Sequence, residues 1–519
     1  MQKSALFLQL HYKNNKHLIT NLVSQKKCLI SDDNLYNFLD NDIFSSLKRN
    51  NKKFITIFVL DLAQFAKSIN MTFSTFSFKN LIYCLKYKNA LFPHNRLIFK
   101  DIAHFMQNNK PENLLEYIQT FHLFASKIMA EFNINIYGCT ILSLTSLANT
   151  IFKKISFSSY KKIKSLNNKE DAFIRKSFYG GRNEIIKPLI NKTYAYDINS
   201  LYPFIMAEHS MPIEKATYIQ KVKLTKEFFG FVDVIISAPN ITLPVLPIKS
   251  DNDHAEMGII YPCGSWRGIY FSEELKFALN YGYKIIEVFD GYSFKKENLF
   301  KPFIDKLYLL RKNENDPKIK KLYKLLMNSL YGKYASIYEN RKRIINSNET
   351  LIEIIKTRYE TVAISSAISA YARIFMYDFV VKNKLDLFYW DTDGIIIKNI
   401  LTKNIDKNLG QFRLVGKIQK GVCLANKFYI YLNESEYCFI LRSIPQENYV
   451  INGPQLYSIF LSEMQKMCYN NFELTINLPL VNKKENTMTN LCFTFHNKRK
   501  YLLKGDTIIS EPWIIEPAI

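Results

Sequence analysis

Two aspartates one residue apart, Asp391 and Asp393, interrupt the apolar run LFYWDTDGIII. Carboxylates in a stretch that otherwise reads as a buried strand are costly unless a cation offsets them or a turn carries them to the surface. The flanking residues are β-rich, so Asp391, Thr392, Asp393 and Gly394 are expected to form the tight turn of a hairpin. A turn capped by Asp accounts for the pattern, and so does a pair of hard oxygen donors for Mg²⁺. A third carboxylate, Asp197 in YAYDINSLYP, also ends an apolar strand, which is expected to stop at Pro203. An aspartate at a helix N-cap is the alternative there, because a helix could begin at Ser200. Taken together, Asp197, Asp391 and Asp393 would make the donor set of a two-metal site for phosphoryl transfer, in which the ions activate a hydroxyl and stabilise a leaving pyrophosphate.

Such a site needs a partner surface for a triphosphate. In KIKKLYKLLMNSLYGKYA, residues 318–335, a helical wheel puts Lys320, Lys324, Asn328 and Tyr331 on one face and Ile319, Leu322, Leu326 and Leu330 on the other. The apolar face must pack. The other offers cations, an amide and a ring to a triphosphate, its sugar and its base, or else is a solvated lysine face. Gly332 is expected to end or bend this helix.

The elements that must position these groups are legible in outline. Residues 113–152 show helical periodicity in two stretches, and the basic, polar residues 153–170 read as a boundary. Residues 213–300 are strand-rich with turn markers, and 301–336 and 362–382 are helical. The remainder mixes strands with a helix near 455–470.

At 519 residues the chain is expected to form two to four domains. Lys+Arg number 70 against 46 Asp+Glu, and the net charge of +24 is spread along the whole chain, which points to a polyanion and most often to nucleic acid. The eight cysteines contain no C-x-x-C pair, which argues against structural zinc, iron–sulfur clusters and a disulfide framework. The first residues resemble neither a signal nor a transit peptide, and no apolar run reads as a membrane span, so the expectation is a protein made where it works, with no membrane partner. Abundant Asn, Lys, Ile and Phe fit AT-rich coding DNA, as in an organelle genome, an organellar plasmid or a virus.

DINSLYP, KLLMNSLYG and YWDTDG, in that order, resemble motifs A, B and C of the family B DNA polymerases, whose patterns are D-x-x-S-L-Y-P, K-x-x-x-N-S-x-Y-G and Y-x-D-T-D-S. The spacings between them, FYGGR at 178–182 and KFY at 427–429 resemble the protein-primed branch of phages and linear organellar plasmids. The resemblance implies an α/β (α+β) multidomain fold, a right-hand palm, fingers and thumb with an N-terminal exonuclease-like (RNase H-like) domain. Its implied division is 1–170 exonuclease-like, 171–212 palm with motif A, 213–300 a terminal-protein-region insertion and 301–336 fingers, followed by a second insertion at 337–361, palm with motif C at 362–432 and thumb at 433–519. It implies a DNA-directed DNA polymerase using two Mg²⁺ ions, or Mn²⁺, on a DNA template-primer with dNTPs. A terminal protein as primer, a monomer and a mitochondrial or other organellar setting go with it.

Residue by residue, the resemblance implies that Asp197 and Asp393 bridge the metals, that Asp391 completes the shell and that the Ile198 carbonyl is a further ligand. Tyr202 would be the steric gate against a 2′-hydroxyl. Lys324, with Arg311, would hold the triphosphate, while Asn328 and Tyr331 line the nascent base pair. Gly180, Gly181, Arg182, Lys427 and Tyr429 would serve DNA. Gly394 replaces the serine of motif C, and Phe178 the tyrosine of Y-x-G-G.

The exonuclease acids of the family are not apparent. No D-x-E occurs before residue 190, Ala66 stands at the acid of the N-L-x-x-F-D element, and Phe121 stands at the acid of Y-x-x-x-D. Loss of 3′–5′ exonuclease is therefore expected. The rival readings are a catalytically inactive polymerase-fold nucleic-acid-binding protein, which intact Asp197, Tyr202, Lys324, Asp391 and Asp393 argue against, and a metal-dependent nuclease, which leaves the Lys324 helix without a role.

Overall fold

A computed structural model describes residues 114–515 except 137–140, 142, 250–257, 346–349, 443, 445–447, 469–472, 484 and 506, and for the strands before residue 114 and the 338–359 hairpin it describes the backbone alone. The chain divides into two units, Met1–Ser165 with Phe300–Glu360, and Leu166–Leu299 with Thr361–Ile519. The first division falls inside the basic segment expected to be a boundary. That segment carries two short helices, Phe157–Lys162 and Asn168–Arg175.

The first unit opens with strands β1 (Ala5–Lys13), β2 (Lys16–Asn21), β3 (Lys27–Ser31), β4 (Phe54–Val59), β5 (Ser74–Phe78), β6 (Leu81–Tyr87) and β7 (Arg96–Asp101). They form one sheet in the order β3-β2-β1-β4-β7-β6-β5, in which β1, β4 and β7 run parallel and the other pairings are antiparallel. Ala66 lies outside the described residues. Helices Leu114–Phe132 and Leu144–Ile155 share an aromatic core with Lys301–Asn313 and Pro317–Tyr334: Phe124 meets Tyr323 edge-on at 5.9 Å, and Phe152 contacts Phe300 at 4.8 Å and Phe303 at 5.7 Å. Phe121 is wholly buried in the first of these helices.

Helix Pro317–Tyr334 begins where the Asp316 carboxylate accepts from the backbone N–H groups of Lys318 and Ile319, with proline in the first turn where no N–H is missed. It buries Ile319, Leu322, Leu326 and Leu330, the expected face. Gly332 does not end it; the helix continues to Tyr334.

The second unit supplies β8 (Asn183–Ile185), β9 (Leu189–Ile198), β10 (Met211–Ile219), β11 (Gly230–Ala238), β12 (Ile248–Lys249), β13 (Ile259–Ile260), β14 (Cys263–Phe271) and β15 (Lys284–Glu297). The hairpin β16 (Ile337–Ile345) and β17 (Thr350–Tyr359) belongs to the first unit. Then follow β18 (Leu387–Asp391), β19 (Gly394–Ile397), β20 (Phe412–Ala425), β21 (Phe428–Leu432), β22 (Tyr437–Leu441), β23 (Tyr449–Val450), β24 (Glu473–Asn482), β25 (Met488–His496), β26 (Lys500–Lys504), β27 (Thr507–Glu511) and β28 (Ile514–Ile515).

The central sheet of this unit is antiparallel throughout, in the order β22-β21-β20-β9-β19-β18-β8. Helix Val362–Lys382 packs on it through Phe379, 4.3 Å from Phe412, and on helix Leu201–Glu208 through Phe375, 5.1 Å from Phe204. By length and composition it is apolar enough to cross a bilayer, contrary to the expectation that no segment would be, but its most apolar window is 67% buried within the protein, as suits a core helix. Helix Gly453–Lys466 packs through Phe460, stacked 5.2 Å from Phe428 of β21.

The strand expected to run to Pro203 stops at Ile198 instead. Pro203 sits in the first turn of helix Leu201–Glu208, where its missing N–H costs nothing. The strand-rich 213–300 region forms a second sheet, β10-β15-β11-β14-β28, whose edge strand is contributed by residues 514 and 515.

Candidate active site

The register of the central sheet places five residues in one transverse row. Asn183 on β8 pairs with Asp391 on β18, Asp391 with Gly394 on β19, Gly394 with Asp197 on β9, and Asp197 with Arg413 on β20. Directly opposed residues of antiparallel strands face the same side of a sheet. Asp391 and Asp197 are therefore on one face, two strands and roughly 10 Å apart at the backbone, with a glycine between them. A Cβ on Gly394 would meet nothing closer than the Asp391 carbonyl at 3.6 Å, so a serine would fit; its absence leaves the space between the two carboxylates clear of a side chain.

Thr392 and Asp393 make the two-residue turn between β18 and β19, as expected. Thr392 stands at φ +58°, a left-handed position unusual for a β-branched residue. The turn is clamped on three sides. The Thr392 N–H donates to the Arg182 carbonyl at 2.7 Å, and the Ile198 N–H donates to the Asp393 carbonyl at 2.9 Å. Gly181 presses on the threonine so closely that a Cβ there would lie 2.5 Å from its hydroxyl. The close approach that Gly181 permits is thus to the turn between β18 and β19, whereas a Cβ on Gly180, at φ +75°, would meet nothing within 4 Å.

Arg182, expected at DNA, is instead only 2% exposed. Its guanidinium donates to Glu184 at 2.8 Å through Nε and to the Pro244 carbonyl at 2.6 Å, and it lies 4.0 Å over the Tyr261 ring and 4.9 Å over Trp390. Arg499, fully buried, approaches the other Glu184 oxygen at 3.7 Å. Arg182 is a buried pillar under the hairpin, with no surface left for a phosphate.

Asp391 accepts from the Asn183 amide at 3.0 Å, and the Lys427 ammonium stands 3.7 Å from its other oxygen. Burial pushes its carboxyl above the ordinary value, while Lys427 pulls it back. Lys427, at φ +57°, donates its N–H to the Tyr389 hydroxyl at 3.0 Å, and the Tyr389 ring meets Tyr429 edge-on at 5.3 Å. The expected pair Lys427 and Tyr429 is therefore joined to the strand that carries Asp391. Lys498 donates to the Asn183 carbonyl at 3.2 Å, and burial lowers its ammonium against the pull of Glu184 and Asp391.

Asp197 is gripped by Arg413, whose Nε and Nη2 donate to one carboxylate oxygen at 3.0 and 2.7 Å. Ile198 follows on the same strand, and Tyr202, half-buried in the helix beyond, interacts electrostatically with Arg373. Arg373 is itself buried on Glu274 at 2.7 Å and donates to the Gly180 carbonyl. In the other unit, Lys324 is exposed and Asn328 and Tyr331 half-buried on one face of helix Pro317–Tyr334, the Asn328 amide donating to the Lys324 carbonyl at 2.8 Å. Arg311 lies in the last turn of the preceding helix.

Three carboxylates on adjoining elements are donors of the type Mg²⁺ takes. The partly buried Asp391, whose charge is disfavoured without a cation, fits that group. Among the described residues no three acidic, His or Cys side chains converge on one point as they stand, and Arg413 and Lys427 lie against two of the aspartates as counter-charges. Asn183, Arg413 and Lys498 were not singled out from sequence. Only the strand register reveals the first two.

Residues 83–387 match the family model for DNA polymerase type B, organellar and viral. A probable DNA polymerase of Podospora anserina is 31% identical over 397 residues, covering 65% of this chain and 32% of that protein. One from Neurospora intermedia is 31% identical over 382 residues, covering 64% and 39%. The chain thus spans well under half the length of these curated relatives. The DNA polymerase of Streptococcus phage Cp-1 is 27% identical over 320 residues, 55% of this chain and 56% of that one. In fold, the chain is similar to Phi29 DNA polymerase complexed with primer-template DNA and incoming nucleotides, with a TM-score of 0.65 and 15% identity over 95% of this chain and 99% of that chain.

Proposed function

Because the chain belongs to the organellar and viral type B DNA polymerases, we propose that it is a DNA-directed DNA polymerase, transferring a nucleotidyl group from a dNTP to a primer 3′ hydroxyl on a DNA template. The observation that carries this reading is the transverse row that sets Asp391 and Asp197 on one face of the sheet with Asp393 in the adjoining turn. Asp197, Asp391, Asp393 and the Ile198 carbonyl would hold two Mg²⁺ ions, or Mn²⁺, and the ions would supply activation of the hydroxyl and stabilisation of the departing pyrophosphate. Tyr202 excludes a 2′-hydroxyl by bulk. Lys324 and Arg311 take the triphosphate, while Asn328 and Tyr331 meet the new base pair. Gly180, where a Cβ would meet nothing within 4 Å, leaves room for the template, and Lys427 and Tyr429 hold the primer strand.

Priming from a terminal protein, replication of a linear organellar plasmid or mobile element in a mitochondrion or other organelle, action as a monomer and loss of 3′–5′ exonuclease complete the proposal. The organellar and viral scope of the family supports the setting, and Phe121, buried where an acid is needed, supports the loss. Purified protein given template-primer, dNTPs and Mg²⁺ should extend the primer in a template-dependent way. Failure under Mg²⁺ and Mn²⁺ alike would overturn the proposal.

A further inference from the structure

We infer that Arg413 is a resident counter-cation of Asp197 which a divalent ion must displace, so that this arginine sets how readily the polymerase site accepts metal. The inference rests on the polymerase reading for the metal but on the geometry for the arginine. Arg413 is directly opposite Asp197 on the neighbouring strand, and both of its facing nitrogens converge on a single carboxylate oxygen. Its position on β20 lies outside every motif by which the sequence was read.

The pair is built to be displaceable. The Arg413 side chain is 56% exposed and that of Asp197 25%, and ion pairs so open to water bind weakly. A divalent ion has twice the charge and draws on Asp391 and Asp393 as well, so it outcompetes a single guanidinium for Asp197. Until it does, the positive charge beside Asp197 opposes its approach. Lys427 weighs less on the other side of the row, at 3.7 Å from Asp391.

The opposite effect follows if Arg413 merely orients the carboxylate, because then removing it loosens a ligand and weakens metal binding. Titration of the full chain with Mn²⁺, followed by the loss of the free-ion electron paramagnetic resonance signal and without DNA or nucleotide, separates the two. Arg413→Met should bind Mn²⁺ about three- to ten-fold more tightly than the wild type, as expected for one charge removed close to a solvated site. Arg413→Lys should stay near the wild type, and the gain should vanish when Asp197→Asn is added. Arg413→Gln, which keeps a donor and loses the charge, makes the same comparison if the Met variant does not fold. Affinity unchanged or weakened in both neutral variants overturns the inference while leaving primer extension by the wild type as the separate test of the polymerase reading.

Discussion

Asp391 is held above the ordinary carboxylate range by burial, and that has a sign. A carboxyl whose pKa is raised by folding binds its proton more readily in the folded protein than in the unfolded chain. Its ionised form therefore costs stability above the folded pKa, and the cost fades as pH falls through it. Asp391→Asn should accordingly raise the melting temperature at neutral pH in the presence of a chelator, with the gain shrinking on acidification. A variant that melts below the wild type at neutral pH would show that Lys427 and Asn183 more than offset the burial. The aspartates themselves were legible because charge inside an apolar run is conspicuous. Arg182 was misread because a basic residue after two glycines looks like a phosphate contact, and only its burial on Glu184 reveals otherwise. Arg413 was invisible for a different reason: its importance comes from strand register across a chain separation that no local pattern encodes.

The hairpin between β18 and β19 depends on the segment beneath it more than on its own turn chemistry. Glu184, wholly buried, is the one carboxylate among the described residues contacting both the Arg182 and the Arg499 guanidinium groups. Glu184→Gln removes that charge and strands two buried cations, which should cost about 3–5 kcal/mol in denaturant unfolding of this unit. A loss below about 1 kcal/mol, the scale of an exposed pair, would mean that the two arginines are balanced elsewhere. At the same scale, Phe121 is packed inside helix Leu114–Phe132 with no oxygen to offer a metal ion. A mismatched, end-labelled primer incubated with the protein and Mg²⁺ without dNTPs should stay intact. Degradation that persists in Asp393→Asn protein would show nuclease acids outside the positions matched at 61–66 and 114–121. The helices Pro317–Tyr334 and Val362–Lys382 were legible because a 3.6-residue period over many turns is a strong signal. Pro203 was misassigned because proline ends a strand and opens a helix equally well, and its neighbours did not settle which.

For the whole molecule, the mixed α/β architecture and the family followed from three motifs in order. The closure of the 213–300 sheet by residues 514 and 515 did not, since two residues at the far end of the chain carry no pairing signal of their own. On the proposed function, a net charge of +24 should make DNA affinity largely a matter of phosphate contacts spread over many basic residues, which one aspartate would hardly alter. Asp393, in contrast, concerns only the chemistry. Primer extension by wild-type and Asp393→Asn protein, with DNA binding measured on the same preparations, is therefore the most direct test of the account. Binding should be retained and extension should fall by orders of magnitude, because the variant loses the charge of a carboxylate that would hold the metal. Near-normal extension by Asp393→Asn would contradict the assignment of this site.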